Sequence, residues 1–174
     1  MDIFPDEIWV SIFKTLDVYG LLWVSAVVNK RWQKLAFDSV TSLNLCGNTD
    51  IKNGTLRQLN NLTRLDLSYN KNITDIGIMH MTNLKILNLA CNKRINTKCI
   101  KQYTNLTKLN ICGNKRITDN GISGLINLRK LNINFNDKIS TDCLKGLTAL
   151  EHLHCCGSTV SEHNLSFLKC QIHK

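Results

Sequence analysis

His152, His154 and Cys156 stand at alternate positions of the chain. In a strand, alternate residues share one face, so these three side chains hold the beginnings of a zinc site. Ligands so spaced lie about 6–7 Å apart along the strand, however, which is awkward for one tetrahedral ion. No fourth ligand suggests itself. Cys156 paired with either histidine would be a nucleophile with its base, but no third residue orients that base. The eight cysteines include no C-x-x-C pair, the spacing of zinc ribbons and thiol–disulfide centres, and there is no glycine-rich phosphate loop. The residues therefore predict no catalytic group, no metal and no cofactor. The protein is expected not to be an enzyme.

Charge gives the next bound. The formal charge is +9, unevenly spread. Residues 1–39 carry −1 and residues 40–174 carry +10. A basic second part suits an acidic or phosphorylated partner, set against the plainer reading of a solvated surface. With 43% hydrophobic residues and one proline the chain reads as folded. Asp2, Asp6 and Glu7 stand where a signal peptide needs positive charge. The longest apolar run, Leu21 to Val28, is too short to span a bilayer. These features predict no membrane partner and a cytoplasmic or nuclear location, with the cysteines as thiols. The richness in Asn, Lys and Ile points to an AT-rich genome, such as a protist's or that of a virus infecting one, in which case the host cell would be the setting.

A strict period positions everything after Val40. Copies of 22 residues align Leu62, Leu84, Leu106, Leu128 and Leu150 at the first position. The fourth holds Leu43, Leu65, Leu87, Leu109, Leu131 and Leu153; the sixth Leu45, Leu67, Leu89, Ile111, Ile133 and Cys155. Asn48, Asn70, Asn92, Asn114 and Asn136 occupy the ninth, and Ile51, Ile73, Ile95, Ile117 and Ile139 the twelfth. Each copy supplies a short strand with positions 4 and 6 inward, an asparagine bonding the turn backbone, and apolar residues at 12, 17 and 20 closing the other side. One copy cannot bury its face alone, but stacked copies build a continuous core. A helical turn over 162–169 is expected to end the array, with Leu165 and Leu168 in core columns and Cys170 and Ile172 as a cap. The pattern L-x-x-L-x-L-x-x-N resembles that of leucine-rich repeats, which implies a right-handed solenoid.

The first forty residues are different. Pro5 suits a helix's first turn and Asp6 and Glu7 its positive end. Ile8, Trp9, Ile12, Phe13 and Leu16 recur on one helical face; Leu21, Leu22, Val24 and Val28 suggest a second helix, and Trp32, Leu35 and Ala36 a third. So small a bundle carries more large apolar side chains than it can bury, and the excess wants a partner.

Phe4-Pro5-Asp6-Glu7, Ile12-Phe13, Leu16, Leu21-Leu22 and Lys30-Arg31-Trp32 resemble the landmarks of the F-box, the segment by which substrate receptors dock on the Skp adaptor of Skp–cullin–F-box ubiquitin ligases. Phe4 stands where leucine is usual, and one extra residue lies between Val27 and Trp32. The resemblance implies an α/β chain: a three-helix F-box over residues 1–39, then a leucine-rich-repeat solenoid of six 22-residue repeats over 40–174. It implies an adaptor-binding set of Phe4, Pro5, Ile8, Ile12, Phe13, Leu16, Leu21, Leu22, Val28 and Trp32, and through the adaptor a cullin ligase.

The substrate, a protein of acidic or phosphorylated character, would lie on the concave face. There alternation turns outward Arg64, Ile86, Lys108, Lys130 and His152 at the third position. Asp66, Asn88, Asn110, Asn132 and His154 follow at the fifth, with Tyr69 and Phe135 on the rim at the eighth. A separate basic ridge, Lys71, Lys93, Arg94, Lys115, Arg116 and Lys138, reads as solvated charge. Two other functions compete: a scaffold whose helices merely cap the solenoid, and nucleic-acid binding. The latter needs aromatics among the lysines, and only 6% of residues are aromatic, so no nucleic-acid partner is expected.

Overall fold

The period of 22 residues becomes a stack of parallel strands. The computed structural model describes residues 5–13, 15, 20, 30–160, 165–168 and 170–173, but not the side chain of Phe13. Strands β1 (Ser42–Asn44), β2 (Arg64–Asp66), β3 (Ile86–Asn88), β4 (Lys108–Asn110), β5 (Lys130–Asn132) and β6 (His152–His154) pair in sequence order. Each pairs one copy on, without slippage: Leu43, Leu65, Leu87, Leu109, Leu131 and Leu153 form one column. A further strand, β7 (Gln171–His173), pairs with β6 and sets Ile172 beside Leu153. The sequence suggested only a cap from Cys170 and Ile172; both pack partly against the core, as does Leu168, while Leu165 is buried.

Between strands the chain returns through single helical turns: α3 (Asn53–Leu56), α4 (Asp75–Ile78), α5 (Thr97–Ile100), α6 (Asp119–Ile122) and α7 (Thr141–Lys145). The leucines of positions 1, 4 and 6 and the isoleucines of position 12 join Ile78, Met81, Tyr103, Ile122 and Leu125 in one continuous core.

Stacking brings each coil's backbone polar groups against the next, and side chains tie them. Asn70, Asn92, Asn114 and Asn136 are buried. The Oδ1 of Asn92 accepts from the N–H groups of Arg94 (2.8 Å) and Ile95 (3.0 Å), while its Nδ2 donates to the carbonyls of Leu67 (2.9 Å) and Asn70 (3.2 Å) of the preceding coil. Two more ladders accompany this one. At position 14, Asn53, Asp75, Thr97 and Asp119 accept from the N–H of the residue before the helical turn of the next coil, at 2.8–3.0 Å. At position 22, Asn61, Asn105 and Asn127 donate back to the carbonyls of Asp38, Thr82 and Thr104.

The position-14 ladder explains a glycine. A Cβ on Gly77 would collide with Asn53 Oδ1, which holds the Thr74 N–H at 3.0 Å. Alanine gains about 1 kcal/mol in helix propensity. It would also turn Asn53 away from both Thr74 bonds, each worth about 1 kcal/mol net, and crowd Ile73. Gly77→Ala is therefore expected to destabilise by about 1–2 kcal/mol, read from the urea midpoint, against the gain that propensity alone gives.

Ahead of the solenoid, helices α1 (Asp6–Phe13) and α2 (Lys30–Ser39) pack together. Trp9 and Trp32 meet with ring centroids 4.0 Å apart over the buried Ala36, and Asp6 pairs with Arg31 at 2.7 Å. The far end of α2 belongs to the solenoid: Phe37, with Val40 just beyond, lies in the repeat core and covers the first coil. The second helix expected over Leu21–Val28, and the side chains of Phe4 and Leu16, lie outside the described residues.

Candidate functional site

Strand alternation turns the third and fifth positions away from the core, as their exposure beside the buried fourth position records. Arg64, Ile86, Lys108, Lys130 and His152 therefore form one row across the sheet, and Asp66, Asn88, Asn110, Asn132 and His154 a second. Two shallow hollows lie between these rows. One of about 300 Å³ is lined by Arg64, Asp66, Ile86 and Asn88, the other of about 240 Å³ by Lys108, Asn110, Lys130, Asn132 and His154.

The second row also serves the backbone. Oδ1 of Asn44, Asp66, Asn88, Asn110 and Asn132 accepts from the N–H two residues on, at 2.8–3.1 Å. These short polar side chains close the strand's exit turn, because the backbone there leaves the sheet with unpaired donors. Asp66 also accepts from Ser68 Oγ and Asn88 Nδ2. The first row carries the cations Arg64, Lys108 and Lys130.

At the C-terminal edge, β7 brings His173 onto His154, ring centroids 4.5 Å apart and near parallel, and within 5.8 Å of His152. Parallel stacking points the ring nitrogens past one another rather than at a common centre. Among the described residues no group of three or more His, Cys, Asp or Glu side chains is arranged to hold a metal ion. Burial lowers the His154 pKa, helped by His173, His152 and Lys130. All eight cysteines are free thiols.

The eighth position adopts left-handed backbone in all six coils: Gly47, Tyr69, Cys91, Gly113, Phe135 and Gly157 have φ between 54° and 62°. The N–H groups of the first five donate across to the next coil, which fixes the conformation there whatever the residue; Tyr69 and Phe135 donate to the Ala90 and Cys156 carbonyls at 2.9 and 2.8 Å. Tyr69 and Phe135 are each 60% exposed on this rim. Sequence reasoning placed the two rings but not the backbone strain, for which the glycines of the same column were the available signal.

Of the adaptor-binding set, Pro5, Ile8 and Ile12 are exposed. Ile8 and Ile12, one turn apart, leave 46% and 45% of their surface open. Trp32 lies against Trp9, two large rings hiding more apolar area together than apart. Phe4, Leu16, Leu21, Leu22 and Val28 lie outside the described residues, as does the side chain of Phe13.

A family model described as leucine-rich repeat matches residues 58–79, 80–98 and 103–126. The chain carries leucine-rich repeats. Its solenoid is similar to solved structures of such proteins. An internalin C2 of Listeria monocytogenes is 23% identical, with a TM-score of 0.59, over 78% of this chain and 62% of that one. A leucine-rich-repeat protein of Leptospira interrogans is 23% identical at TM-score 0.61, over 84% and 40%. An internalin (inlF) of L. monocytogenes is 20% identical at TM-score 0.62, over 97% and 53%. The chain therefore spans less than two thirds of these proteins, and the likeness is one of fold. No curated protein matches the sequence.

Proposed function

We propose that this leucine-rich-repeat chain is the substrate-recognition subunit of a Skp–cullin–F-box ubiquitin ligase, acting in the cytoplasm or nucleus. The observation that carries the reading is the outward apolar face of α1. Ile8 and Ile12 stand half exposed one turn apart, with Pro5 exposed at the helix start, while Trp9 faces α2. A helix that shows isoleucines to solvent on one face and buries a tryptophan on the other fits a docking surface for an apolar partner. The concave row of Arg64, Lys108 and Lys130 would receive an acidic protein substrate. The ligase partners would supply the chemistry, and this subunit would raise the local concentration of target lysines.

A full isoleucine is worth about 1.5–3 kcal/mol on burial, so two half-exposed ones together contribute about the same amount. The double variant Ile8→Ala/Ile12→Ala is expected to weaken adaptor binding about ten- to hundredfold, measured by calorimetry with purified Skp adaptor. Adaptor affinity unchanged by this pair would refute the docking surface. A parent chain that ignores the adaptor altogether would favour the second reading, a scaffold whose helices cap the first coil; the burial of Phe37 and Val40 in the repeat core supports that alternative.

A further inference from the structure

The left-handed column forms a staircase. A Cβ on Gly157 would lie 2.6–2.8 Å from the Phe135 ring, and one on Gly113 would lie 3.1 Å from Cys91 Sγ. Tyr69 in turn interacts with the Cys91 side chain, which raises its phenol pKa. Each side chain thus leans over the same position of the coil that follows. Where a ring is followed by small residues, the steps leave a trough. One such cavity, of about 390 Å³ and mainly apolar, has Tyr69, Cys91 and Gly113 as its walls and floor and Lys71, Lys93 and Arg94 at its mouth. That volume lies within the range of pockets that hold small ligands.

The cations at this mouth differ from the rest of the basic ridge. Lys115 and Lys138 share Asp137, at 3.4 and 3.6 Å. Among the described residues, no ion pair involves Lys71, Lys93 or Arg94. Three charges stand around an apolar trough whose one large wall, Tyr69, occupies backbone that costs a non-glycine residue about 1–2 kcal/mol.

We infer that this rim trough is a docking site for a phosphorylated tyrosine side chain of a partner protein. The ring lies against Tyr69 and Cys91, and the phosphate, carrying about −1.5 to −2 charge, meets Lys71, Lys93 and the planar fork of Arg94. Phosphoserine has no apolar body to fill the trough. A nucleotide would leave its base edges unpaired, since the amide nearest the floor, Asn70, is spent on the ladder: its Nδ2 donates to Leu45 and Asn48, and its Oδ1 accepts from Asn72 and Ile73. The site is separate from the concave face and from α1, so it stands or falls independently of ligase membership.

The test is calorimetric titration of the full chain with phenyl phosphate, inorganic phosphate, phenol and adenosine monophosphate, repeated on variants. Phenyl phosphate is expected to bind at least tenfold more tightly than any of the other three probes. Tyr69→Gly and Lys93→Gln/Arg94→Gln are each expected to weaken it tenfold or more, and Lys138→Gln less than twofold. Glycine suits the φ of 56° at position 69, so Tyr69→Gly should melt no lower than the parent, separating a lost contact from a lost fold. Inorganic phosphate matching phenyl phosphate would reduce the site to bare charge and overturn the proposal. Tighter binding of adenosine monophosphate would reassign it to nucleotides, and absence of phenyl phosphate binding would remove it.

Discussion

Replacing Asn92 by alanine is expected to destabilise the solenoid by about 3–5 kcal/mol, as much as truncating a buried leucine. The side chain is wholly buried and makes four hydrogen bonds, two within its own turn and two to the coil before. Its loss strands the carbonyl of Asn70 and the N–H of Ile95, and each stranded buried group costs about 1–3 kcal/mol, while the Leu67 carbonyl keeps the Asn70 N–H. Asn92→Asp keeps the acceptor and loses the donor, so it should fall as far or further, because it adds a buried charge facing two carbonyl oxygens. Urea unfolding followed by far-ultraviolet circular dichroism measures both. A midpoint for Asn92→Ala equal to the parent's would mean that water replaces the side chain and that the ladder adds no net stability.

Tyr103 gives the second large effect. Its column otherwise holds Leu59, Met81, Leu125 and Leu147, yet the ring is fully buried. Its hydroxyl donates to the Ile78 carbonyl at 2.7 Å, at the end of α4, and lies 3.3 Å from Cys99 Sγ. Tyr103→Ala removes the ring and is expected to cost about 3–5 kcal/mol. Tyr103→Phe keeps the ring and loses one hydrogen bond, the Ile78 carbonyl retaining the Met81 N–H, and should cost about 1 kcal/mol. Burial raises the phenol pKa well above its ordinary 10.0. The unfolded chain then loses this proton more readily than the folded one, so the stability Tyr103 contributes is complete below about pH 10 and declines as pH rises past it. A Tyr103→Phe chain with a flatter alkaline limb than the parent is the expected signature. Equal midpoints for all three chains would show that neighbouring coils close over the gap.

Much of this architecture was legible in the column pattern. A period of 22 residues with leucine at positions 1 and 4 leaves one way to bury the apolar face, and the strand register follows. The ninth-position asparagines could be read because a polar residue recurring amid leucines must satisfy backbone. The ladders at positions 14 and 22 escaped notice although their columns also repeat. Asn53, Asp75, Thr97 and Asp119 vary in type and share only an acceptor atom, while asparagine at position 22 looks like ordinary loop composition. The site was legible as a surface but not in its chemistry. Asn88, Asn110 and Asn132 were legible as outward residues, but not as acceptors for the exit turn. Cys170–His173 carries too little periodicity to announce a strand, so the stacking of His173 on His154 had no counterpart in the sequence.

The leaning of each eighth-position side chain onto its successor makes neighbouring coils interdependent in what they can display. A bulky group at one step favours a small residue at the next, as Phe135 is followed by Gly157 and Tyr69 by Cys91. Two rings cannot occupy consecutive steps, so aromatic anchors can be moved along this edge only in paired exchanges, a bulky residue and its small follower travelling together. Grafting a new recognition ring onto the edge therefore means rewriting two coils at once.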